Sequence, residues 1–179
     1  MNFLLSTSAE AIVGAVLVAI ILVLTLWIIP FGAWFKAMAA GAKISLGRLV
    51  GMRLRKTKPT LIVEVYITAK KADVDVSVDI IEACSMARGS VNNFVNILIC
   101  AHVTGKSLDP RDALTIDLMG ISAETVSSHH AAGGDFNRVL SLLKKANAEN
   151  AKLSVEEAMA KDLSVEHIVA VEAKSQDGF

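Results

Sequence analysis

Four histidines are the side chains of this chain best suited to bind a metal or transfer a proton: His102, His129, His130 and His167. The adjacent His129 and His130 would point about 100° apart on a helix, so both cannot reach one metal ion unaided. Their spacing fits neither an HExxH helix nor a structural zinc site. We therefore predict no metal and no cofactor, and expect the histidines to be surface groups or inter-helix hydrogen-bonding groups.

The other groups with catalytic potential also lack partners. Paired acids such as Asp73 and Asp75 have no histidine or nucleophile at catalytic spacing, and they are typical of solvated faces or of first helical turns. No nucleophile elbow or oxyanion motif surrounds Ser127–Ser128. Gly133–Gly134 lacks the lysine and the spacing of a phosphate loop. The sequence predicts a protein that is not an enzyme.

Two cysteines and one arginine receive structural interpretations. Cys84 and Cys100 lie in apolar surroundings, which favours buried, reduced thiols in a cytoplasmic domain. Arg138 follows Gly134 by one helical turn, and we expect it to pair with Asp135 or to cap a neighbouring helix.

An uncharged apolar run at residues 11–29 is the strongest single feature of the chain. At about 1.5 Å per residue, such a helix approaches the roughly 30 Å of a bilayer core. The preceding residues carry no Lys or Arg and the run is long, which favours a retained transmembrane anchor over residues 1–30 rather than a signal peptide. Ala11, Gly14 and Ala15 offer a small-residue face for partner helices.

The charges of this neutral chain are segregated. Residues 1–58 hold seven bases against Glu10, whereas residues 59–179 hold eleven bases against seventeen acids. Bases beside an apolar span are typical of contact with anionic lipid headgroups. The acidic remainder argues against nucleic acid as a partner. We predict a cell-membrane location with the C-terminal domain in the cytoplasm.

Residues 31–58 read as an amphipathic, basic juxtamembrane helix that follows Pro30. Its apolar side chains share one side and its bases lie opposite, which favours a helix in the membrane interface, although a second crossing by residues 31–52 stays open. The predicted lipid-interface residues are Trp27, Trp34, Lys36, Lys43, Arg48, Arg53, Arg55, Lys56 and Lys58.

The rest of the chain aligns with itself at an offset of 45 residues, without gaps. Matching positions include Gly89 with Gly134, and Asp117-Leu118 with Asp162-Leu163. Fixed-period similarity indicates stacked supersecondary units, here residues 59–120 and 121–179. We predict an all-α fold with two such units after the membrane region.

Local signals mark the helix starts within these units. The predicted N-terminal caps are Ser90, Asp109 followed by Pro110, Ser122, Asp135, and Ser154 with Glu157 as a capping box. The segments 61–68 and 74–80 alternate and are β-branched, which alone is typical of strands. Their place in the repeat favours helix instead.

Three stretches resemble the bacterial flotillin-like FloA family: residues 29–59, 121–163 and 164–175. The motif of the second stretch consists of His129, Ala132, Gly133, Gly134, Arg138 and Val139, and Gly89 is the counterpart of Gly134 in the other unit. On this alignment, residues 75–119 are an inserted unit.

The resemblance implies a membrane-anchored scaffold that oligomerises and influences membrane organisation. Members of that family carry a band-7 type domain and a coiled coil after the resembled region, which the sequence to Phe179 does not contain. We therefore expect a flotillin-like scaffold or adaptor that self-associates or recruits a partner. The alternative is an accessory, non-catalytic subunit of a larger membrane complex.

Overall fold

The computed structural model describes residues 12–23, 31–42 and 44–164, and the regular elements among them are ten α-helices. Residues 12–23 form α1, and residues 155–164 form α10. Between them lie α2 (Phe31–Ala39), α3 (Leu46–Leu54), α4 (Pro59–Lys71), α5 (Val78–Met86), α6 (Val91–Val103), α7 (Pro110–Leu118), α8 (Ala123–Ala131) and α9 (Phe136–Ala148). The all-α prediction is confirmed for this part of the chain. Two compact units, residues 1–67 and 68–179, divide the chain.

The first unit begins with α1, whose large apolar side chains are about half exposed or more. The predicted anchor also includes residues 1–11 and 24–30, which lie outside the described residues. Of the helices that are described, none has the length and apolar character needed to cross a bilayer.

Residues 31–58 form two short helices, so the prediction of one juxtamembrane helix is wrong. After α2, Gly41 takes a φ of 70°, and the Ala42 N–H donates to the Ala37 carbonyl at 2.8 Å. This is the left-handed ending that glycine favours. Ser45 then caps α3 by accepting the Arg48 N–H. Residues 55–58 follow α3 and are not helical.

The helical interpretation of residues 61–68 is confirmed, because they lie within α4. Ile62, Val63 and Val65 are buried on this helix, and Pro59 occupies its first position, where no N–H is needed. Residues 74–77 are not helical, and Ser77 caps α5. The β-branched residues of α4 are helical because their burial outweighs a weak local preference for strand.

The second unit contains α5 to α10, with α6 packed against α5, α7 and α8. Its core includes Phe94, Ile97 and Leu98 of α6, and Phe136 and Leu140 of α9. The predicted caps are confirmed for α6, α7, α8 and α9, and the capping box is confirmed before α10.

Helix lengths recur along the chain. A nine-residue helix is followed by a thirteen-residue helix in α3–α4, in α5–α6 and in α8–α9. The third helix of the second unit's first half, α7, has nine residues. Buried aspartates near the ends of α7 and α10 hold these helices together, as described next.

Candidate functional site

A buried aspartate near the end of α7 connects three helices. Asp117 is 7% exposed, and its Oδ2 accepts the Ser90 N–H at the start of α6 at 2.8 Å. The same oxygen accepts the Cys84 thiol from α5 at 3.6 Å. Its Oδ1 accepts Nδ2 of Asn93 at 2.8 Å. A carboxylate here also complements the positive end of α6. We call these four residues the first clamp.

The second clamp has the same layout 45 positions later. Asp162 is 2% exposed, and its Oδ2 accepts the Asp135 N–H at the start of α9 at 2.7 Å. Nε2 of His129 on α8 lies 2.9 Å from the same oxygen. Oδ1 pairs with Nε of Arg138 at 2.7 Å. Histidine and arginine thus stand where the first clamp has a thiol and an amide, so the second clamp is the more polar of the two.

The glycine that precedes each cap is required by close packing. A Cβ atom at Gly134 would overlap the ring of His129, and one at Gly89 would overlap Oδ2 of Asp117. The side chains of His129 and Asp117 cannot easily move aside, because both are buried and hydrogen-bonded. Gly133, by contrast, is needed for its positive φ of 92°. The three glycines of the predicted repeat core therefore allow close approach or form a turn.

His129 and His130 occupy different environments. Nδ1 of His129 is buried with no hydrogen-bond partner among the described residues, and its ring meets Phe136 edge-on at 5.1 Å between centroids. Nδ1 of His130 lies 3.1 Å from Oγ1 of Thr104, and its Nε2 accepts the Phe136 N–H at 3.5 Å. This geometry assigns His130 the neutral form with the proton on Nδ1.

Burial is the main cause that lowers the pKa of His130 below its ordinary value of 6.5. The nearby Asp135 opposes this shift, while His129 and Lys106 add to it. His130 is therefore suited to a structural hydrogen bond at neutral pH rather than to a positive charge.

Burial also raises the pKa of the Cys84 thiol to about 12, and the negative charge and hydrogen bond of Asp117 add to the effect. A thiol with this pKa stays protonated at neutral pH and is a poor nucleophile. Both cysteines are free; Cys84 is buried and Cys100 is half-buried. The buried-thiol interpretation therefore fits Cys84 better than Cys100.

Arg138 pairs with Asp162, which reaches the start of α9 from α10. Asp162 was identified in the sequence only as a repeat position, and its role as the centre of a clamp was missed. Its identity with Asp117 at the offset of 45 was the signal that could have indicated it. Ala132 ends α8 as its C-terminal cap.

Helix α2 presents its large side chains outward. Phe31, Phe35 and Met38 share one side of α2 and are 37%, 56% and 53% exposed. Ala33 and Ala37 are the buried residues of this helix. The small residues of α2 therefore face the protein, whereas its aromatic and thioether side chains face away from it. In a helix that packs into a core, the large apolar side chains are the buried ones.

Among the predicted lipid-interface residues, Lys36 has a protein partner. Its Nζ lies 2.6 Å from Oε1 of Glu64 on α4, so this ion pair ties α2 to α4. Trp34 is half-buried and contacts Phe35 edge-on, with 5.1 Å between ring centroids. Trp27 and Lys43 lie outside the described residues.

The remaining bases of the region differ in exposure. Arg53, Arg55, Lys56 and Lys58 are exposed, and Arg48 is half-buried. Lys56 has a φ of 60°, which turns the chain after α3. Across the described residues, no group of three or more His, Cys, Asp or Glu side chains is placed to hold a metal ion.

Capped helices joined by buried aspartates make the described part of the chain all-helical. The sequence profile described as Flotillin-like protein FloA matches residues 11–124. The chain therefore belongs to the flotillin-like FloA family. The matched range includes residues 75–119, whereas most of the second stretch of resemblance lies beyond it.

Individual relatives agree with this assignment. The chain is 39% identical to a flotillin-like protein FloA of Alkaliphilus metalliredigens over 101 residues, which are 56% of this chain and 31% of that protein. It is 41% identical to one of Dictyoglomus turgidum over 106 residues, 59% and 32% of the two chains. For one of Staphylococcus aureus strain Newman, identity is 34% over 113 residues, 63% and 34%.

The matched part of the chain spans about a third of the length of these curated relatives. No solved structure matches the chain.

Proposed function

We propose that this protein is a membrane-anchored, non-catalytic scaffold that presents a cytoplasmic array of helical units for self-association or partner recruitment. Membership of the flotillin-like family supports a scaffold in general terms. The outward aromatic face of α2 is the observation that carries the membrane part of this proposal. The anchor is the apolar run of residues 11–29, of which residues 12–23 are helical.

The α2 face suits the interface between headgroups and acyl chains. An amphipathic helix binds there with its apolar side in the acyl boundary, and its affinity grows with the apolar area it buries. Arg55, Lys56 and Lys58 after α3 are exposed, and we assign headgroup contact to them. Each such base contributes on the order of 1 kcal/mol near an anionic surface.

The scaffold part of the proposal depends on the two clamps. We propose that residues 75–164 are a duplication with a period of 45, since the clamps match position for position. Asn93 also accepts the Ala123 N–H at 2.8 Å and donates to the Ile121 carbonyl at 2.9 Å, which ties the first clamp to the start of α8. Such a connected array would hold a partner-binding surface in one shape.

Tryptophan depth measurement tests the membrane part. The variant Trp27→Phe leaves Trp34 as the only tryptophan, and the full chain is reconstituted in vesicles with lipids brominated at different depths. We expect quenching of Trp34 to be strongest by lipids brominated close to the headgroup. Absence of quenching at every depth would contradict an interfacial α2. Phe31→Ser in the same background should reduce the quenching.

The role of the bases and the self-association are tested by measuring topology and stoichiometry. Changing Arg53, Arg55, Lys56 and Lys58 to Gln should weaken the preference for anionic lipid or disturb the orientation of the chain. Unaltered lipid preference and orientation would reject this role for the bases.

After gentle detergent extraction, native mass measurement should show large homo-oligomers, whereas fixed-ratio co-purification with other proteins would favour the accessory-subunit alternative.

A further inference from the structure

An open groove lies in the second unit between the end of α7, the second half of α9 and the loop that leads into α10. Its volume is about 730 Å³, which falls within the range of small-molecule sites. Met119, Leu140, Leu143 and Leu153 contribute an apolar lining. Largely apolar pockets with a few polar groups at the edge are the usual form of ligand sites.

The rim of the groove is positively charged on one side. Lys152 and Lys144 both line it. Lys144 pairs with Asp112 at 2.9 Å, whereas no described residue forms a hydrogen bond or ion pair with Lys152, which is exposed. Glu157 is the acid at the rim, and it is engaged in capping the N–H of Ser154 at 3.0 Å. An anionic group at the rim would therefore meet a lysine that has no competing partner among these residues.

The first half of the same unit provides an internal comparison. The corresponding cavity, 45 positions earlier, is lined by Leu98, Ala101 and Leu108 where the groove has Leu143, Ala146 and Leu153. Its volume is only about 240 Å³. Four aligned lining positions differ: Val74, His102, Lys106 and Ser107 correspond to Met119, Asn147, Ala151 and Lys152. Two of these exchanges, Lys106 to Ala151 and Ser107 to Lys152, add or remove a lysine.

These two exchanges change the character of the site. Alanine at 151 removes a long, half-buried lysine side chain from the lining, which leaves apolar space. Lysine at 152 adds a cation at the edge of that space. The result is an apolar slot with a positive charge at its mouth, which complements a molecule that has one hydrocarbon chain and one anionic head.

We infer that this groove binds a single-chain anionic amphiphile, with the hydrocarbon chain against Leu143 and Leu153 and the anionic head at Lys152. A free fatty acid and the anionic head of a single-chain phospholipid share this chemistry. A membrane-anchored chain would meet such molecules at high local concentration, but the groove itself is defined by the second unit alone.

Photolabelling of the full chain tests this site. The protein is placed in nanodiscs of zwitterionic lipid with a palmitic acid analogue that carries a diazirine in its chain, and labelled peptides are mapped by mass spectrometry. We expect labels in α9 and in the loop at residues 149–154, besides labels in the apolar run of residues 11–29. A lysophosphatidic acid analogue with the same diazirine distinguishes a phospholipid from a free fatty acid by its relative labelling.

The internal comparison supplies the variants. Ala151→Lys copies the first half, and labelling of the groove should fall by about tenfold or more, because a lysine side chain fills an apolar slot. Labelling of residues 11–29 should stay constant and serves as the control within each sample. Lys152→Ser should reduce labelling by the acid but not by a matched photoactivatable alcohol, and Lys106→Ala should leave labelling of the groove unchanged.

The possible failures are separable. The inference is overturned if the groove of the wild-type chain is unlabelled, or if Ala151→Lys is labelled equally. A groove covered by another segment or by a second copy would also be unlabelled. An unlabelled apolar run would instead contradict the membrane anchor of the proposed function. Circular dichroism of each variant establishes that the helices are retained.

Discussion

Replacing Asp162 by asparagine tests the clamp arrangement most directly, because the change keeps the shape and removes the charge. Oδ2 of Asp162 accepts the Asp135 N–H and faces Nε2 of His129. The amide oxygen of asparagine can still accept hydrogen bonds from the Asp135 N–H and from His129, but these bonds are no longer charge-assisted. The amide nitrogen would then face Arg138, which has only donors to offer.

The magnitude follows from these contacts. Hydrogen bonds to a charged acceptor contribute about 1.5–3 kcal/mol against about 0.5–1.5 kcal/mol for neutral ones, so two weakened bonds cost about 2 kcal/mol. The ion pair with Arg138 adds less than about 1 kcal/mol, because that side chain is 43% exposed and is screened by solvent. We expect Asp162→Asn to lower the free energy of unfolding by about 2–3 kcal/mol.

Urea unfolding of the full chain in mild detergent, followed by circular dichroism, measures this loss. Asp112→Asn is the matched control, since it makes the same chemical change in an exposed ion pair with Lys144 and should cost less than about 1 kcal/mol. Hydrogen exchange adds a local readout, because the Asp135 amide should lose protection specifically. Equal stability of the two variants, with the Asp135 amide unchanged, would refute the reasoning.

Three further predictions follow from the same contacts. Gly134→Ala and Gly89→Ala should each destabilise by about 1–3 kcal/mol in urea unfolding, because the added methyl group overlaps a pinned side chain. The free energy of unfolding should decrease as the pH falls below 6.5. Burial lowers the pKa of His130 in the folded chain, so the unfolded chain binds the proton more readily. His130→Gln should weaken this pH dependence in unfolding curves measured at pH 7 and pH 5.5. Cys84, with a pKa of about 12, should react with a thiol reagent at pH 8 far more slowly than the half-buried Cys100, as measured by peptide mapping. The free energy of unfolding should also fall above pH 9, because the Cys84 thiol ionises more readily in the unfolded chain.

Helix positions were largely predictable, because they depend on neighbouring residues. Ser90, Asp109, Ser122 and Asp135 accept N–H groups two or three residues ahead, so a cap can be recognised within one turn of sequence. The break after α2 was missed, although Gly41 and Ser45 carry the signals for a helix end and a helix start. The continuous apolar pattern on both sides of that break outweighed them.

Local and repeated sequence patterns were enough to predict the helical class, most helix starts and the correspondence of Asp117 with Asp162. The packing of the helices determines what these aspartates bind, since their partners lie 24–33 residues away along the chain. It also decided that Lys36 meets Glu64 across 28 residues, that His129 and His130 have different partners, and that the groove is open beside Ala151. Local hydrogen bonds select a helix, whereas the contacts of a buried charge depend on which helices pack together, and no short stretch of sequence contains that information.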